Sequence, residues 1–229
     1  MTLDQGAAAQ RRLQLFVFEK RDDYESTLEA LDLGAHKIVS GVASPFPFVA
    51  MVCAEGISPD IERGVCLHET THLFCYAVSP SVFPPWYSEG YADTYGGTET
   101  FTWADGKLSV KGMFPRSRID ALKADGGTMP LAELLIADQF AQWRKSREAG
   151  LAFYAQSWAF LRYLRTGAGP EIAARFEQWE TRCIGQALGF ELGQKRSSQS
   201  GPASDLFNDL FKKDLPKLET GFHEWLRDL

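Results

Sequence analysis

Apolar and polar positions change rhythm along the chain, from short extended runs near the N-terminus to helical spacing over most of the rest. Leu13 to Phe18 (LQLFVF) reads as a strand, and Asp22 to Leu31 as a helix stopped by Gly34. A second β segment covers Phe46 to Cys53, where Pro45 and Pro47 suit the edge of a sheet better than its centre. Ser58-Pro59-Asp60 then supplies an N-cap, a proline at the first helical position and early negative charge, which opens a helix from Pro59 to Ala77. After a loop over Pro80 to Pro85, PWYSEGYADTYGG reads as a shorter helix ending at Gly96 or Gly97. Phe101-Thr-Trp and Leu108-Ser-Val flank Asp105-Gly106, a strong hairpin turn.

From Ser117 onward the spacing predicts helices over roughly 117 to 124, 131 to 148, 151 to 166 and 170 to 183. A last pair follows the polar stretch Gly193 to Ser204, which lacks apolar anchors and reads as a mobile loop. No internal repeat is visible. The expected architecture is α+β and mostly helical, with a small N-terminal mixed sheet. It forms a single domain over residues 1–229: a β-rich lobe to about residue 57, two functional helices over 58–100, and a hairpin with a helical lobe over 101–229.

The Pro59 to Ala77 helix raises the first question of chemistry. At about 100° per residue, Ile61, Val65, His68, Glu69, His72 and Tyr76 share one side, while Cys66, Leu67, Leu73, Phe74 and Ala77 cover much of the other. A helix that is apolar nearly all round is expected to be buried. Burying two imidazoles and a carboxylate costs several kcal/mol unless something pairs with them. His68 and His72, at i and i+4, can reach one tetrahedral metal ion, with Glu69 beside them to face a water in the open position. Chance placement with local hydrogen bonds is the alternative, so the H-E-x-x-H pattern counts only if its context agrees.

A zinc site of this kind needs a third protein ligand. Glu89, seventeen residues after His72 at the start of the next helix, is the leading candidate, since that distance allows a short loop and an antiparallel return. Asp93, one turn further on the same face, is either the acceptor for the second ring nitrogen of a ligating histidine or an ordinary surface aspartate. Cys75, one turn past His72, is a rival ligand to weigh, because thiolates bind zinc well.

HETTH followed by PPWYSEGYADTYGG resembles the gluzincin metallopeptidases, in particular the peptidase MA-like group, with their H-E-x-x-H and then a Trp-x-x-Glu-Gly-x-Ala segment. The likeness includes the Pro-Pro-Trp lead-in, the Glu-Gly pair and Ala92, and extends more weakly to Phe153 to Leu164 (FYAQSWAFLRYL). It spans about residues 46 to 165 in pattern order. The resemblance implies a zincin-like fold, zinc on His68, His72 and Glu89, and Glu69 as general base in peptide hydrolysis. It also implies a tyrosine hydroxyl facing the tetrahedral oxyanion from a later helix; Tyr154 is the candidate, with an ordinary core aromatic as the alternative. Tyr91 and Tyr95 are weaker candidates. The segment before the zinc helix would pair with an extended peptide by backbone hydrogen bonds.

The aminopeptidase branch of that group carries Gly-x-Met-Glu-Asn ahead of its zinc helix, whose glutamate holds the substrate's free amine. FVAMVCAEG stands here instead, and Glu55 lies too far along to be equated with it. The departure favours cleavage within a chain over removal of N-terminal residues.

Composition narrows the classes further. With 229 residues, 45% of them hydrophobic, the chain can bury a sizeable core. A net charge of −6 and a pI near 5.3 offer no basic field for phosphate backbones, so nucleic acid is not an expected partner. The six tryptophans fit a core rather than a stacking platform. The longest apolar runs, such as Phe46 to Ala54, are too short to span a bilayer, and Met1 to Gln10 has no basic-then-apolar leader. A soluble, cytoplasmic protein acting on peptides or proteins is the expectation. Cys53, Cys66, Cys75 and Cys183 show no C-x-x-C spacing and read as reduced space-fillers, while His36 and His223 read as surface or capping residues. Two classes therefore remain: an active zinc peptidase, or a zinc-stabilised module that presents its cleft to a protein partner. An intact Glu69 favours the first, because a structural site needs no base.

Overall fold

A computed structural model describes residues 12–78, 83–97, 100–110, 116–123, 128–191 and 203–229. Its elements are β1 (Leu15–Phe18), α1 (Arg21–Ala30), β2 (Gly41–Pro45), β3 (Phe48–Cys53), α2 (Pro59–Val78), α3 (Pro85–Gly96), β4 (Phe101–Ala104), β5 (Lys107–Val110), α4 (Arg116–Lys123), α5 (Leu131–Leu134), α6 (Gln139–Lys145), α7 (Arg147–Arg162), a π-turn (Tyr163–Gly167), α8 (Pro170–Glu191), α9 (Ala203–Phe211) and α10 (Leu215–Arg227). Helix dominates, and the small three-stranded sheet is mixed, which is compatible with an α+β class. No helix of the described residues is long and apolar enough to cross a membrane.

Contacts divide the chain into two compact units. The first takes the chain up to Ala77 and again from Ala92 to Arg116; the second takes Val78–Tyr91 and Ser117–Leu229. The β4–β5 hairpin belongs to the first unit, whereas the sequence groups it with the helical lobe.

In the first unit the sheet runs in the order β1-β3-β2. β3 is parallel to β1, with Leu15 opposite Ala50, and antiparallel to β2, with Gly41 opposite Val52. The expectation that Phe46 to Cys53 forms an edge strand is therefore corrected: β3 is the central strand, buried throughout except at Phe48. Pro45 ends β2 and Pro47 lies in the connecting turn, so neither proline removes a donor from the centre of the sheet. β2 itself is not predicted, because Gly, Ser and Pro are poor strand formers and make up most of it. One face of the sheet packs on α1 through Val42, Val49, Met51, Cys53, Tyr24 and Leu28.

Helix α1 starts where the Arg21 backbone N–H donates to the Glu55 carboxylate. It ends at Ala30 with Leu31 as its C-cap, and Asp32, with a φ of 58°, turns the chain off the helical path before Gly34. The Asp105-Gly106 turn has two positive φ values, 52° and 70°, which suit the tight turn expected between β4 and β5.

In the second unit, Trp86, Phe160, Phe176, Trp179 and Phe207 form an aromatic core, with Trp86 and Phe207 centroids 5.1 Å apart. The continuous helix expected over 131 to 148 is broken into α5, α6 and the start of α7. Asp138 accepts from the N–H of Ala141 at 2.6 Å and Ser146 from that of Ala149 at 3.0 Å, so each begins a new helix as its N-cap. Helix α8 runs on to Glu191, beyond the expected 183. The polar stretch after it lies outside the described residues as far as residue 202.

Candidate metal centre

Helix α2 begins as its sequence dictates. The Ser58 hydroxyl accepts from the N–H of Ile61 at 3.4 Å, and Asp60 and Glu62 add negative charge to the first turn. The helix is not buried all round, however: Ile61 and Phe74 are each 45% exposed, while Leu73 and Cys75 lie inside. The stretch that carries the histidines is its more buried part: Glu69 and His72 are both buried, and the His68 side chain is 12% exposed.

The boundary between the two units falls within α3, between Tyr91 and Ala92. Within the second unit its N-terminal turn drives Trp86 into the aromatic core, and the Tyr87 hydroxyl donates to Glu180 at 2.8 Å. The same carboxylate oxygen takes the Arg165 guanidinium at 2.6 Å. Gly90 lets α3 approach the backbone of α7, because a Cβ there would stand 2.5 Å from the Ser157 carbonyl oxygen. Within the first unit Gly96 does the same against α2, where a Cβ would meet the Cβ of His68 at 2.5 Å and the Gly64 carbonyl oxygen at 2.9 Å. Each close approach lies within one unit: Glu89 is on the part of α3 that belongs to the second, Asp93 on the part that belongs to the first. From sequence alone Gly96 marks only a helix end, and Gly90 carries no packing signal. Contacts between elements distant in sequence leave no periodic signal.

The ligand atoms of His68, His72 and Glu89 all lie within 4.8 Å of one another. The Nε2 atoms of the two histidines are 3.0 Å apart. Two imidazole nitrogens bound to one tetrahedral ion stand about 3.3 Å apart at ordinary bond lengths. The same spacing admits an N–H···N hydrogen bond, so the histidine pair alone does not define a metal site. Glu89 adds a buried carboxylate to the two imidazoles, and the three together could hold a metal ion.

Asp93 is 2% exposed, which removes the surface-aspartate alternative. Its Oδ1 lies 3.1 Å from Nδ1 of His68 and leaves that ring's Nε2 toward His72. Glu69 sits next to His68 on α2 and is buried at 6% exposure. Cys75 is not in the three-residue group; burial pushes its thiol up to about 12, away from thiolate. Tyr154 lies on α7, its ring centroid 5.9 Å from Trp143, with the Arg118 guanidinium 5.8 Å from the ring. Those contacts fit a packing aromatic. His223 pairs with Glu219 at 3.3 Å on the surface of α10. All four cysteines are free.

Compared with known proteins, the chain matches no family model, no curated protein and no solved structure.

Proposed function

We propose that this chain is a zinc-dependent peptidase of the gluzincin kind, cutting within peptides or protein segments. The observation that carries the reading is the buried group of His68, His72 and Glu89, with a second carboxylate, Glu69, beside the first ligand. Two imidazole nitrogens and one carboxylate oxygen are a set that suits zinc and leaves a fourth position for water or substrate.

Bound there, zinc would polarise a substrate carbonyl and lower the pKa of a water to about 7. Glu69 accepts the proton of the attacking water and returns it to the leaving amine. Asp93 holds His68 in the tautomer that leaves its Nε2 for the metal. Tyr154 keeps the role of oxyanion donor only through the family resemblance. An extended peptide would pair with β2, one of the sheet's two edge strands, in place of β3.

The test is metal analysis of the purified protein together with cleavage of a broad peptide library. Zinc with internal cleavage supports the peptidase. Zinc without any cleavage overturns it in favour of the binding module, and a protein without metal overturns both.

A further inference from the structure

Two independent facts converge on Gly41. It opens β2 opposite Val52, on the face of the sheet turned away from Tyr24 and Leu28. A Cβ built there would stand 2.5 Å from Oε1 of Glu69, 2.8 Å from its Cγ and 2.6 Å from Cγ1 of Val65. Val65 and Glu69 are one turn apart on α2, so the glycine is where the edge strand comes down on the helix row that carries the carboxylate. Its φ is outside the left-handed region, so the demand is for space and not for backbone freedom. Any side chain would occupy the volume of the Glu69 carboxylate itself.

We propose that Gly41 is the positioning residue for Glu69: it leaves the recess that sets where the carboxylate lies relative to the two histidines. The proposal rests on the reading of Glu69 as general base, but its packing content can be measured without any reaction. A carboxylate that must meet an attacking water has little tolerance, since a misplacement of about 1 Å can cost about 100-fold in rate. The atoms nearest a Cβ at Gly41 belong to Glu69 and Val65, and neither residue is in the group of His68, His72 and Glu89 that would hold a metal.

Thermal unfolding of the full chain decides the packing. Gly41→Ala is compared alone, in a Glu69→Ala background and in a Val65→Ala background, with metal content measured for each. The expected fall in midpoint for Gly41→Ala alone is about 4 °C or more, and the fall should shrink by more than half when Glu69 is also truncated. A Gly41→Ala protein that folds only with Glu69→Ala gives the same answer. An equal fall in both backgrounds, relief by Val65→Ala alone, or failure to fold in every background overturns the proposal. On a peptide cut by the wild type, Gly41→Ala should lower kcat about 100-fold with KM little changed and zinc content intact. Unchanged kcat, or a loss confined to KM, overturns the positioning role. A wild type that cuts nothing overturns the peptidase reading, and the unfolding comparison still decides whether Gly41 makes room for Glu69.

Discussion

The Nδ1 of His68 lies 3.1 Å from a carboxylate oxygen of Asp93, a side chain almost wholly withdrawn from solvent. Such a contact would fix the His68 tautomer and leave Nε2 for a metal. With the Nδ1 proton donated to Asp93, the Nε2 lone pair points toward His72. Removing the acceptor by Asp93→Ala should weaken metal affinity about 10- to 100-fold, measured by competition with a chelating dye. Asp93→Asn, which can still accept through its carbonyl oxygen, should fall between the two. Unchanged affinity in both variants would show that the pair is incidental to metal binding.

Glu69→Gln preserves shape but cannot take a proton. It should bind metal like the wild type and lose cleavage by about 100-fold or more. Loss of metal together with activity would make Glu69 a structural residue.

Glu55 accepts the backbone N–H of Arg21 at the start of α1. A carboxylate occupied as a helix cap is not placed to hold a substrate ammonium, and leaving such a charge buried without a partner would cost several kcal/mol. Acetylating the N-terminus of a cleaved peptide should therefore change its rate little. Stepwise removal of residues from free-amine peptides only would contradict this and make Glu55 the first residue to mutate.

Cys183, on α8, has its thiol pushed up from the ordinary 9.0 to about 12, first by burial and then by the Glu180 charge. The folded protein then holds a proton that the unfolded chain releases above pH 9. A raised folded-state pKa contributes stability that is complete below about 9 and is lost as pH rises toward 12. Chemical unfolding followed from pH 8 to 10.5 should show wild-type stability declining more steeply than that of Cys183→Ala. Parallel curves would mean the thiol is not held protonated by the fold.

Much of the site is legible in the sequence because its members are local. His68, Glu69 and His72 need only helical spacing, and the cap at Ser58 makes the helix visible. Glu89 and Asp93 share a face of the next helix for the same reason. What escapes the sequence depends on packing between distant segments. Strand β2 is composed of weak strand formers and exists because β3 gives it a partner, and that turns the predicted edge strand into the centre. The break at Ser146 is hidden because apolar spacing continues on both sides of it. Gly41 carries no motif and becomes meaningful only where β2 meets Val65 and Glu69 of α2.

The central claim is that His68, His72 and Glu89 together hold one metal ion. Elemental analysis of the purified wild type beside Glu89→Ala tests it most directly. The account predicts close to one zinc per wild-type chain and a sharp loss in the variant, with the helical signal retained in both. Full occupancy in Glu89→Ala, or a wild type that takes up no metal, would contradict it.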